Sequence, residues 1–269
     1  MFTLSAGFLG GPKSEMITTW DTEKLGGTGS ATKVLLLPMT AGNTIDWGDG
    51  TINNLNTHTY ASGGVKTVKI YGQVTGFRFN NGGDKLKLTD VSDVGGLVVD
   101  NNAMFYGCAN LTWSAINTPV VTSVNMANQF RNCALFNGDI TSFDMTTVTG
   151  SYANMLNGCT VFNRSIGTWD VSNASGLMNG LLLNAAAFNQ DISSWNIASV
   201  TGMTNLLNGS AFSSTNYDLL LPAWEAQSVQ DMVTAHFGSA TYGAGTPATA
   251  RAALIASPNL WTIADGGPT

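Results

Sequence analysis

Charge is what this chain most lacks. Charged residues fill 10% of its 269 positions, against about a quarter in an ordinary soluble protein, and no Lys/Arg cluster occurs. With a net charge of −6 the surface is not built to grip phosphates, which excludes nucleic acid as a partner. No run of about 18 apolar residues is present, so no helical membrane span is expected. The only histidines are His58 and His236, and GxSxG, HExxH and GxxxxGK motifs are missing. The chain is therefore read as a non-enzyme without a cofactor. Cys108, Cys133 and Cys159 lack CxxC spacing, so zinc finds no support. Residues 1–11 carry no basic segment ahead of their apolar stretch, which Gly7 and Gly10 interrupt, so no secretory signal is read there. Either a signal preceded this numbering or the protein reaches a surface by assembly, as virion proteins do.

What is abundant is small and polar: 31 glycines with many Asn, Thr and Ser. These residues fall into a period. Phe136, Phe162 and Phe188 stand 26 apart, and Phe212 follows after 24. Asn137, Asn163 and Asn189 keep the step, as do Ile140, Ile166 and Ile192, and Phe143, Trp169 and Trp195. Each unit closes on Gly150, Gly176 or Gly202. A period of this length marks stacked units that bury one another's apolar columns, so it predicts parallel coils with strands across 126–212.

Each column has two readings. Phe143, Trp169 and Trp195 either line the core or stand outside to stack sugar rings; one conserved phase within a repeat favours the core. The Asn column either satisfies backbone groups in turns or binds a ligand, and the structural role is favoured. The three cysteines share a column with Ala185, which favours reduced packing thiols, with a disulfide or metal as alternatives. Asp46 and Asp49 are the residues that could hold calcium, but two carboxylates fall short of its 6–8 oxygens; their other role is to accept N–H groups of a turn.

Residues 16–75 read as short strands punctuated by turns, a small β-sandwich. Asp46-Trp47-Gly48-Asp49-Gly50-Thr51, with His58-Thr59-Tyr60 and the strand Val65-Lys66-Thr67-Val68-Lys69-Ile70-Tyr71, resembles a PKD domain. That resemblance implies an immunoglobulin-like sandwich of an extracellular protein. Phe-Asn-x-x-Ile-x-x-Trp-Asp/Asn, at Phe162–Asp170 and Phe188–Asn196, resembles the BspA-like leucine-rich repeats of bacterial surface proteins, which implies a leucine-rich-repeat solenoid over 76–215. Residues 216–269 read as its cap: Thr246 as N-cap with Pro247 behind it, a helix over 248–256, and a closing strand at Trp261-Thr262-Ile263.

The expected fold is thus mainly β with short helical segments: an N-terminal arm (1–15), a sandwich, a solenoid and a helix–strand cap. The expected function is non-enzymatic display at a surface. The leading setting is a bacteriophage virion, as head decoration or tail adhesin, with the arm contacting other subunits in a larger assembly. A bacterial cell-surface adhesin for a protein or glycan receptor is the alternative. An accessory module of a carbohydrate-active enzyme is the third.

Overall fold

The computed structural model describes residues 14–24, 29–174 and 176–269; the expected arm lies outside them except for Ser14 and Glu15. The described chain is mainly β with two short helices. In order come β1 (Glu15–Asp21), β2 (Val34–Leu36), β3 (Thr44–Asp46), β4 (Ile52–Asn53), β5 (Thr57–Thr59), β6 (Val65–Tyr71) and β7 (Leu88–Val94). Then follow β8 (Val98–Val99), β9 (Thr112–Trp113), β10 (Val120–Val121), α1 (Ser214–Glu225), β11 (Thr234–His236), α2 (Thr246–Ile255) and β12 (Thr262–Ala264).

β1 lies inside a six-stranded sheet of order β4-β3-β6-β1-β7-β9. Its alternate residues Met16, Thr18 and Trp20 are buried, as the period of two requires of a strand with one face inward. It pairs antiparallel with β6 from Glu15↔Tyr71 to Asp21↔Val65, and on its other side antiparallel with β7. β7 pairs parallel with β9, so strands on both sides of residue 75 share one sheet. β2 and β5 form a separate antiparallel pair. Sequence patterning missed β7 because its buried residues, Leu88, Val91 and Val94, recur every three positions. Register shifts between Ile17 and Thr18 and between Thr19 and Trp20 account for this, since each bulge displaces the alternation by one residue.

The periodic region departs from expectation. Among the described residues no strand lies between β10 and α1, so the strands predicted across 126–212 are absent. Each unit is instead a run of tight turns. The N–H groups of Gln129, Arg131 and Cys133 donate three residues back, to Met126, Asn128 and Phe130. The intervening N–H groups of Met126, Asn128, Phe130 and Asn132 donate to carbonyls of the next unit, Ser151, Ala153, Met155 and Asn157. The same alternation joins Tyr152, Asn154, Leu156 and Gly158 to the carbonyls of Leu177, Asn179, Leu181 and Leu183. Main-chain donors are thereby divided between unit and neighbour, as a buried backbone requires.

Two left-handed residues per unit explain why extended strands cannot form. Asn128, Asn154, Gly180 and Asn205 occupy one such column, with φ between 57° and 64°, and Asn132, Gly158, Asn184 and Gly209 the other. Ala103, with φ of 58°, holds the first column in the preceding unit; the other places named are Asn and Gly, which tolerate positive φ. The leucine-rich-repeat resemblance implies a different unit and is corrected here.

Below Phe212 the pattern gives way to α1, capped by the Ser213 hydroxyl, which accepts from the Asn216 N–H at 3.3 Å. Tyr217, Leu220, Leu221 and Trp224 are its buried residues. α2 begins one residue before Pro247, with Gly245 in the cap position and no side-chain cap, so Thr246 is not the N-cap. β11 and β12 pair in parallel at the end.

Candidate functional site

The aromatic columns point inward. Phe136 and Phe162 stack at 5.9 Å and Phe162 and Phe188 at 6.1 Å, with rings within 10° of parallel. Trp169 donates its indole N–H to Ile140 O at 3.0 Å, and Trp195 to Ile166 O at 2.9 Å. Ile140, Ile166, Ile192 and Phe143 are buried beside them. All seven tryptophans lie at or below 8% exposure, so none offers a face for sugar stacking.

The Asn column is a ladder. Asn137 Oδ1 accepts from the N–H of Asn163 at 3.0 Å, Asn163 Oδ1 from that of Asn189 at 2.9 Å, and Asn189 Oδ1 from that of Ser213 at 2.9 Å. Their amides therefore serve the adjoining unit. The three cysteines are buried free thiols. Cys133 and Cys159 donate to Phe105 O and Phe130 O at 3.0 and 3.1 Å, and burial pushes all three thiols well up.

Asp46 ends β3, and Asp49 sits in the turn between β3 and β4. Asp46 Oδ1 accepts from Gly48 N–H at 2.9 Å and Asp49 Oδ1 from Thr51 N–H at 3.0 Å, while Asp49 Oδ2 meets His58 Nε2 at 2.7 Å. His58 stacks on buried Trp47, whose carbonyl accepts from the Tyr60 hydroxyl. The Asp46–Thr51 motif thus knits one turn to β5. Among the described residues no group of three or more His, Cys, Asp or Glu converges.

The outward face carries carboxylates in small local rings. Asp144 takes the N–H and hydroxyl of Thr146, Asp170 those of Ser172, and Asn196 takes the N–H of Ala198. Asp139 and Asp191 accept the N–H of Thr141 and Ser193. Hydrogen bonds from Thr141, Thr146 and Ser172 hold Asp139, Asp144 and Asp170 below the usual carboxylate range. A shallow concavity between α1 and α2 contains one carboxylate, Glu225. A second, beside Pro38 and Phe79, is lined by Asp84.

Sequence reasoning missed two ion pairs, one buried and one half-buried. Lys87 Nζ lies 3.3 Å from Asp84 Oδ1 and donates to carbonyls of Ser30, Ala31 and Val34. Asp84 in return accepts from Ser30 N–H and Leu36 N–H. In the cap, Arg251 Nε donates to Asp265 Oδ2 at 2.6 Å, and that oxygen also accepts from the Tyr217 hydroxyl at 2.7 Å. The i,i+3 spacing of Asp84 and Lys87 was the one available signal.

These observations define a mainly β protein whose repeats are joined by alternating turn and inter-unit hydrogen bonds. A family model described as "Mycoplasma protein of unknown function, DUF285" matches residues 99–219 and again 124–244. The two matches together span more than half of the chain, so it belongs to the DUF285 family. They are offset by 25 residues, about one repeat. This assignment replaces the leucine-rich-repeat and PKD resemblances, neither of which it supports. No curated protein and no solved structure matches the chain.

Proposed function

We propose that the protein is a non-enzymatic, surface-displayed contact module, a solenoid whose units propagate through their turns. The observation that carries this reading is the division of labour between columns. Aromatic, thiol and amide columns are spent on the ladder, and what is left outside is mostly hydroxyls, amides and carboxylates bonded to their own turns. Such a face makes many weak polar contacts with another protein surface and offers no paired acid and base. The burial of every tryptophan supports a protein partner over a glycan.

The setting we favour is a bacteriophage virion, as head decoration or tail adhesin in a larger assembly. The second setting is the surface of a bacterial cell; the Mycoplasma in the family's name supports only its bacterial part. Gold-labelled antibody against the purified chain, applied to virions and to intact cells, tests both. Label on particles supports the first setting and label on cells the second. A monomer that labels neither overturns the surface reading.

A further inference from the structure

Five Asn-Gly pairs occur in the chain: Asn81–Gly82, Asn137–Gly138, Asn157–Gly158, Asn179–Gly180 and Asn208–Gly209. An Asn-Gly peptide is chemically labile when the glycine nitrogen reaches the asparagine side-chain carbon. Glycine's missing Cβ leaves that approach open, and a hydrogen bond on the nitrogen or burial of the pair closes it.

The five sites differ sharply. Gly82 N–H donates to Phe79 O at 2.9 Å, Gly158 N–H to Leu183 O at 2.8 Å and Gly180 N–H to Thr204 O at 2.8 Å. Asn157 is itself buried, with its amide on Asn154 Oδ1 at 2.9 Å. Gly138 is packed against Trp113, whose Cβ and ring would lie within 2.7 Å of any Cβ placed there. Asn137 Oδ1 is held by Asn163 N–H.

At Asn208–Gly209 a Cβ on the glycine would meet Asn184 Oδ1 at 2.6 Å, but neither burial of the pair nor a hydrogen bond on the glycine nitrogen operates. Gly209 is exposed, and its N–H has no acceptor among the described residues. Among the described residues the side chain of Asn208 makes one long contact, Nδ2 to Asn205 Oδ1 at 3.4 Å, and its Oδ1 has no partner. The comparison is internal, because Asn157–Gly158 and Asn208–Gly209 occupy the same columns of the repeat two units apart. The first is covered by a following turn unit. The unit after the second is replaced by α1 and β11, so the ladder passes from Leu207 N–H to His236 O and leaves Gly209 without a counterpart.

We propose that Asn208–Gly209 is a self-modification site, where asparagine converts through a cyclic imide to isoaspartate and aspartate while the other four pairs persist. Gly209 N attacks Asn208 Cγ, the new C–N bond forms as the Cγ–Nδ2 bond breaks, and ammonia leaves with the proton of the amide nitrogen. Water then opens the imide at either carbonyl, giving an α- or a β-linked product without any redox change. The product places a carboxylate at the junction of ladder and cap. In its β-linked form the main chain runs through Cβ and Cγ, and the carbonyl that Asn184 N–H uses at 2.8 Å becomes the free carboxylate.

The test is incubation of the full folded chain at mildly alkaline pH, followed by digestion and mass spectrometry with isoaspartate discrimination. Asn208 should convert about tenfold faster than Asn157, the factor that one hydrogen bond of opening free energy supplies. The denatured chain should convert all five sites at comparable rates. Asn208→Gln, checked for an unchanged melting curve, should abolish the folded-state signal. Equal rates at Asn157 and Asn208 in the folded chain, or no conversion at Asn208 while the denatured chain reacts, would overturn the proposal.

Discussion

The indole N–H of Trp195 donates to the carbonyl of Ile166, 29 residues earlier, at 2.9 Å. Trp169 repeats the bond to Ile140, and Phe143, with no N–H, cannot. One side chain therefore both fills the core of its unit and ties that unit to the one before. Trp169→Ala should destabilise the fold by about 3–5 kcal/mol through the cavity it leaves. Trp195→Phe should cost about 1 kcal/mol, chiefly the lost hydrogen bond. Denaturant midpoints for the two variants check both values; an unchanged midpoint for Trp169→Ala would mean the residue does not carry the core.

Lys87 is held by four oxygens of the 30–34 segment as well as by Asp84. Lys87→Met strands a buried carboxylate and should cost about 3–5 kcal/mol. Pairing it with Asp84→Leu should recover part of that loss, because no charge is then left unpaired. A double-mutant cycle by urea denaturation reads the coupling.

Acid should weaken the ladder's outer turns. Asp139, Asp144 and Asp170 are held below their ordinary value of 3.8 by bonds from Thr141, Thr146 and Ser172. A depressed folded-state value stabilises the fold above the unfolded value and loses that effect as pH falls through the folded one. The melting temperature should accordingly be flat with respect to these groups above about pH 5 and decline below about pH 4. Asp170→Asn should melt slightly below the parent at neutral pH, since an amide there keeps the backbone bond that Asn196 makes in the next unit but not the carboxylate's contribution, and should show a shallower acid decline.

Gln227 closes the exposed end of the last turn unit. Its Oε1 accepts from Ile197 N–H at 2.8 Å and its Nε2 donates to Trp195 O at 2.9 Å, so one amide side chain pairs two backbone groups of that unit. Gln227→Leu should cost about 1–3 kcal/mol by leaving these groups unpaired. Hydrogen exchange should rise at Ile197 and its neighbours while residues 126–158 keep their protection; a uniform rise would show that the end is not a separate unit.

Much of the interior was legible in the residue pattern. The step of 26 placed Phe162, Ile166 and Trp169 in columns, and all three are buried. The alternation of β1 and β6 was readable, whereas β7 was hidden by its bulges. The turn at Asp46–Gly50 was foreseen from residues that accept N–H groups and tolerate positive φ. The backbone of the repeat was misjudged. Its apolar period is shared by strand-built and turn-built units, and the deciding residues, Asn128, Asn132, Asn154 and Gly158, signal left-handed turns only once their place in the unit is known.

By itself the amino-acid order determined that the chain repeats and which side chains each unit would bury, because apolar residues at one phase have nowhere else to go. Tertiary structure decided how the units join. A hydrogen bond from Asn128 to Ala153 requires two distant backbones to meet at one height, and pairing Lys87 with the Ser30 segment brings together groups 57 residues apart. Such partners are set by packing in three dimensions, and no local pattern encodes them.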